Sequence, residues 1–305
     1  MKIVTFKRNN INYGYRIGVI VSETEIVDLT PLVSDKDLSA VDLLTCFDLD
    51  QGFFDKAETA IASDLPGETL EMETVQLLVP VPRPGKIICI GLNYRDHAAE
   101  SGMEIPKSPV IFSKFSSCAI GPNAPIVIPK ESTQTDYEAE LAVIIGRYAR
   151  NVSQQNALDY VFGYSNFNDV SARDFQFADG QWQRGKSCET FAPMGAFIAT
   201  ADEITDPQDL SIKLRLNGET MQDSNTCQMV FGVAQLIEFL SRHITLEPGD
   251  VIATGTPPGV GFARKPPVYL KKGDIVDVEI KGLGVLSNPV SHEATDPADY
   301  SKDRR

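Results

Sequence analysis

Histidine is scarce in this chain: 305 residues hold three, His97, His243 and His292, which excludes a histidine-rich centre of the zinc type. Any metal here must rely on oxygen. Cysteine is sparse as well. Cys46, Cys89, Cys118, Cys188 and Cys227 are an odd number with no CxxC pair, so they read as reduced and mostly buried rather than as a disulfide framework. Positive charge is short, with 28 Lys and Arg against 42 Asp and Glu, a net of −14, and the basic residues cluster only in the closing KDRR. That balance argues against nucleic acid and anionic membrane as partners. No run approaches the roughly 20 apolar residues of a membrane-spanning helix, and MKIVTFKRNN lacks the apolar centre of a secretory signal. The expectation is a soluble, cytosolic protein.

The order of the chain is β-rich. Residues 1–30 alternate apolar and polar positions around Asn9-Asn10 and Gly14, predicting short antiparallel strands, and a more helical stretch follows to about residue 63. PVPRPG (80–85) packs three prolines and a glycine into six residues, which supports neither helix nor central strand and sets a boundary between a small N-terminal domain (1–79) and a larger one (80–290). The larger part carries many short apolar runs. Helical periodicity is persuasive in SQQNALDYVFGY (153–164) and VAQLIEFLSRHI (233–244) only. The closing segment 291–305 is polar and reads as a loose tail.

Within QTDYEAELAVIIG (134–146), the run Leu141–Ile145 ends at Gly146 and reads as a buried strand. Side chains alternate on a strand, so Glu138 and Glu140 share a face with attachment points roughly 6–7 Å apart. Either this is a solvated strand end, or the two carboxylates need a cation or a shared proton. In GLNYRDHAAESG (91–102), His97 and Glu100 fall on one face if the segment turns helical, which would orient the imidazole as a general base. Asp169 and Asp174 in DVSARD lie at or just past a strand end, where either could be a turn residue or a helix cap. TGTPPGVG (254–261) ends another strand in a loop whose amides and hydroxyls could cradle a carboxylate. GQWQRGKS (180–187) matches the phosphate-loop letters, but it lacks the preceding buried strand and following helix that would hold phosphates, leaving Lys186 as a cation near acidic residues.

Taken together, GLNYRDHAAE, SPVIFSKFSS, DYEAELAVIIG, NDVSARD, GKSCETFAPMG, LNGE, SNTCQMVF, PGDVIATGTPPGVG and LKKGD resemble the fumarylacetoacetate hydrolase family from about residue 80 to 290, in unbroken order. IPKSPVIFSKF and TGTPPGVGFARKPPVYLKKGD look especially like its domain-containing protein 2 branch. The resemblance implies an α+β, mostly β fold: a mixed β-roll with a few covering helices behind a small N-terminal domain, assembled as a homodimer. It implies a Mg²⁺ or Mn²⁺ site on Glu138, Glu140 and Asp169, catalytic roles for His97, Glu100 and Lys186, and substrate contacts from Arg173, Gln176, Lys186 and Thr256. The implied substrate is a small 2-oxo or 2,4-dioxo acid whose enolate is stabilised. Placed first is hydrolytic C–C cleavage of an acylpyruvate- or fumarylacetoacetate-type diketo acid. The alternatives are oxaloacetate keto–enol tautomerisation or decarboxylation, isomerisation of a 2-hydroxyhepta-2,4-diene-1,7-dioate-type diacid, and non-catalytic metabolite binding.

Overall fold

A computed structural model describes residues 1–9, 14–33, 42–49, 52–62, 68–96, 104–178 and 180–292. The fold is mostly β. Its central strand, Ala139–Ile145 (AELAVII), is buried at every position, because sheet neighbours lie on both sides and packed layers on both faces. Val161–Asn168 pairs with it antiparallel, Ala139 opposite Asn168, and Val251–Ala253 pairs antiparallel on its other edge. Ile87–Gly91 follows in parallel and Val110–Lys114 closes that edge antiparallel. In the other direction Ile198–Thr200 joins Val161–Asn168 to Lys2–Arg8. Arg16–Ile20, Glu25–Asp28 and Thr69–Glu71 extend that edge, and Val75–Leu77 pairs with Lys2–Arg8, completing an eleven-stranded sheet. Residues on both sides of PVPRPG therefore hydrogen-bond into one sheet.

A second sheet of five strands runs in the order Glu219–Asn225, Ser211–Leu216, Ile275–Ile280, Val285–His292, Ile126–Ile128. SIKLRL and IVDVEI bury every second residue, so one face is apolar and lies on the large sheet. Asn217 and Gly218 both take positive φ (54° and 83°), the type I′ turn that matches the twist of the hairpin they join. Ser291 and His292 close their strand against Val127 and Ile128, so chain order runs two residues into the segment expected as tail. The helix expected in 233–244 is present as Val233–Ser241. That expected over 153–164 is not: Gln154–Tyr160 is a 3-10 helix and a strand begins at Val161. VFGYSNFN is rich in aromatic and branched residues, and pairing along the central strand outweighs the local helical spacing.

Candidate metal centre

Two neighbouring strands build the centre. Glu138 directly precedes the central strand, Glu140 lies in it, and Asp169 directly follows Val161–Asn168. The antiparallel register brings these ends together, with the Asp169 N–H donating to the Glu138 carbonyl at 2.9 Å. One carboxylate oxygen from each of the three lies within 4.8 Å of the others, and all three side chains are buried. An all-oxygen set of this size fits a hard divalent cation.

Three buried cations surround it. Lys186 Nζ donates to Glu138 Oε2 at 2.7 Å and to Asp169 Oδ2 at 2.8 Å. Lys114 Nζ donates to Asp169 Oδ1 at 2.5 Å and to the Val170 carbonyl at 2.9 Å. Arg173 Nη2 donates to Glu138 Oε1 at 2.6 Å and to Asp136 Oδ2 at 2.8 Å, Nε also reaches Asp136 Oδ2, and Nη1 donates to Gln176 Oε1 at 3.0 Å. Asp136 is held by the N–H groups of Tyr137, Gly261 and Phe262. Four carboxylates (Asp136, Glu138, Glu140, Asp169) thus face three cations, a formal deficit of one positive charge. The deficit falls on Glu140, whose Oε2 accepts the Gly255 N–H at 2.9 Å. Burial, with Asp169 and Glu138 adding repulsion, pushes the Glu140 carboxyl well above the usual range. For Glu138, burial is outweighed by Lys186 and Arg173, which hold it down at about 2. Lys186 is raised: burial works against its charge, but Asp169 and Glu138 win. A divalent ion at the triad would offset the buried charge of Glu140 and turn the deficit into a single positive excess, suited to an anionic ligand.

Thr256 sits beside the triad on the loop that follows Val251–Ala253, and its Oγ1 accepts from Gln222 Nε2 at 2.8 Å. Arg173 and Gln176 also lie at the site, but the donors of Arg173 point at Asp136, Glu138 and Gln176, and the Phe262 ring covers the guanidinium at 4.4 Å. Lys186 ends the four-residue helix Gln183–Lys186 with its ammonium on carboxylates, and no helix opens after it. The chain's single tryptophan, Trp182, precedes that helix and stacks edge-on against Phe112 at 5.2 Å. Its ring also closes on Gly91, where a Cβ would lie 3.0 Å away. Asp174 braces a turn, accepting from Ser132 Oγ and Thr133 N–H. His97 and Glu100 lie outside the described residues. Sequence reading missed Lys114, Asp136 and Gln222. Asp136 carried a usable signal, since Asp136, Glu138 and Glu140 repeat at every second position of an extended segment.

The model of the fumarylacetoacetate (FAA) hydrolase C-terminal family matches residues 86–291. The oxaloacetate tautomerase of Xenopus laevis, named as mitochondrial, is 49% identical over 245 residues, 78% of this chain and 77% of its own. A fumarylacetoacetate hydrolase domain-containing protein 2 homolog of Dictyostelium discoideum is 42% identical over 301 residues, 95% and 97% of the two chains. The solved fumarylacetoacetate hydrolase of psychrophilic Exiguobacterium antarcticum is 39% identical and superposes with a TM-score of 0.80 over 96% of this chain and 100% of its own. The mitochondrial relative overturns the cytosolic expectation. That expectation rested on the want of a secretory signal, which carries no information about import into an organelle.

Proposed function

The chain belongs to the fumarylacetoacetate hydrolase family, and from that premise we propose that it is a divalent-metal-dependent oxaloacetate keto–enol tautomerase. The observation that carries the reading is the 49% identity to an oxaloacetate tautomerase across three-quarters of each chain. The buried triad with Lys186 braced against two of its members supports it. This places tautomerisation ahead of the hydrolytic cleavage put first from sequence, because moving a proton between C3 and the 2-oxo oxygen needs no attacking water.

Glu138, Glu140 and Asp169 would hold Mg²⁺ or Mn²⁺. Such an ion supplies positive charge beside the carboxylate and 2-oxo oxygens of a 2-oxo acid and so lowers the cost of its enolate. Lys186 is held in its protonated form, which makes it a donor to that developing charge rather than a base. Two of its three N–H bonds go to Glu138 and Asp169, and the third is assigned to the substrate. Thr256 would donate to the substrate carboxylate. The proton at C3 is assigned to the His97–Glu100 pair, on its sequence pattern. The partner is a small 2-oxo acid, and the assembly a homodimer, to be checked by light scattering.

The deciding experiment follows the enol absorbance of oxaloacetate with Mg²⁺-loaded protein, with pyruvate release measured in parallel and acetylpyruvate as a second substrate. Equilibration of enol and keto forms faster than the uncatalysed rate, without pyruvate, is expected. Cleavage of acetylpyruvate with no effect on oxaloacetate equilibration would restore the hydrolase reading, and pyruvate release from oxaloacetate would make the enzyme a decarboxylase.

A further inference from the structure

Gln222 belongs to the outer hairpin of the five-stranded sheet, in Glu219–Asn225, yet its side chain reaches the centre of the large one. It is buried to 1% exposure. Its Oε1 accepts the N–H of Ala139, the residue between the two glutamates, at 2.9 Å. Its Nε2 donates to Thr256 Oγ1 at 2.8 Å and to the Pro257 carbonyl at 2.7 Å. Those partners fix which way the amide faces. A backbone N–H can only donate and a backbone carbonyl can only accept, so a flipped amide would meet two repulsive contacts. The consequence falls on Thr256. Its oxygen is already receiving a hydrogen bond, so its single hydrogen is directed away from Gln222.

We propose that Gln222 is a positioning residue: it sets the Thr256 hydroxyl as a donor toward the substrate carboxylate and ties the substrate loop to the strand bearing Glu138 and Glu140. The inference rests on the reading of the site as a 2-oxo acid site with Thr256 in contact with substrate. Gln222→Glu is the sharpest probe. It keeps an acceptor for the Ala139 N–H but replaces the donor to Thr256 with an acceptor, which draws the hydroxyl hydrogen back from the substrate. Gln222→Met removes both roles with similar volume.

The measurement is oxalate affinity of the Mn²⁺-loaded protein, normalised to Mn²⁺ sites counted in the same sample so that unfolded protein does not register as weak binding. Gln222→Glu, Gln222→Met and Thr256→Val should each weaken oxalate about tenfold or more, as loss of a hydrogen bond to a charged ligand does. Mn²⁺ affinity should stay within about threefold of native, and Thr256→Ser should recover most of the oxalate affinity. Combining Gln222→Met with Thr256→Val should cost clearly less than the product of the single losses, since the two variants share the interaction through Thr256. Oxalate binding by both Gln222 variants within about twofold of native overturns the proposal, as does a double variant whose loss is the product of the single losses. A native protein that neither binds oxalate nor speeds oxaloacetate equilibration overturns the functional reading itself, and this inference with it.

Discussion

At the scale of single residues, Lys114 has its entire side chain buried and spends its charge on Asp169. Replacing it by methionine keeps the length but leaves Asp169 with Lys186 alone, which Glu138 already shares, and breaking a buried pair in this way costs about 3–5 kcal/mol. Lys114→Met should therefore melt markedly lower without metal, with part of the loss recovered in Mn²⁺; calorimetric melting with and without the ion is the check. Arg173→Lys tests a different role. Lysine cannot bridge Asp136, Glu138 and Gln176 together, so Mn²⁺ affinity should fall about 10–100-fold, the usual effect of losing the partner that orients a ligand. Unchanged Mn²⁺ affinity with lost oxalate binding would instead make Arg173 a substrate contact. Glu140 and Glu138 titrate in opposite senses. Glu140, raised, is penalised when charged: the metal-free fold loses stability as pH rises through its range, and below that range a metal must expel its proton. Mn²⁺ affinity should rise up to about tenfold per pH unit there and level off above it. Glu138, held at about 2, stays ionised throughout; its stabilising contribution is complete above the ordinary carboxylate range and is lost as pH falls through about 2. A Mn²⁺ affinity that shows no such dependence at any pH above the ordinary carboxylate range would contradict the assignment of Glu140.

At the scale of elements, the turn after Val251–Ala253 is as demanding as the strands. Gly255 has φ of 101°, and a Cβ there would stand 2.7 Å from Asn93 Cβ and 3.0 Å from the Ile90 carbonyl. Gly255→Ala should cost about 1–3 kcal/mol through backbone strain, and more where Asn93 cannot yield. It should weaken Mn²⁺ as well, because the same residue's N–H holds Glu140. Thermal melting and a Mn²⁺ titration of one sample separate the two effects. The strand with alternating glutamates was legible because side-chain period is a local property of an extended chain. Lys114 was not, since its partner is 55 residues away and only the sheet register joins them. The stretch 153–164 misled for a related reason: its apolar spacing suits a helix, while Val161–Asn168 is claimed by the neighbouring strand.

At the scale of the whole molecule, the large sheet ties the first strands to those that carry the carboxylate triad through Lys2–Arg8 and Ile198–Thr200, a link between distant segments that no local pattern announces. The mostly β fold and the order of its motifs were readable, because they depend on turn chemistry and apolar runs. The carboxylate excess at the triad exists only in the folded chain, so a cation bound there stabilises the native state by mass action. Metal at about a hundredfold over its dissociation constant should raise stability by about 2.7 kcal/mol, read as a higher melting temperature in Mg²⁺ than in chelator. Glu140→Gln should shrink that gain.

Trp182, wedged between Gly91 and Phe112 just before the helix of Lys186, gives the molecule an optical property. With a single indole in the chain, tryptophan emission comes from this one spot at the edge of the centre. Successive addition of Mg²⁺ and oxalate should change its intensity or wavelength in two separable steps, so that the native protein, without any attached dye, reports the filling of its own site.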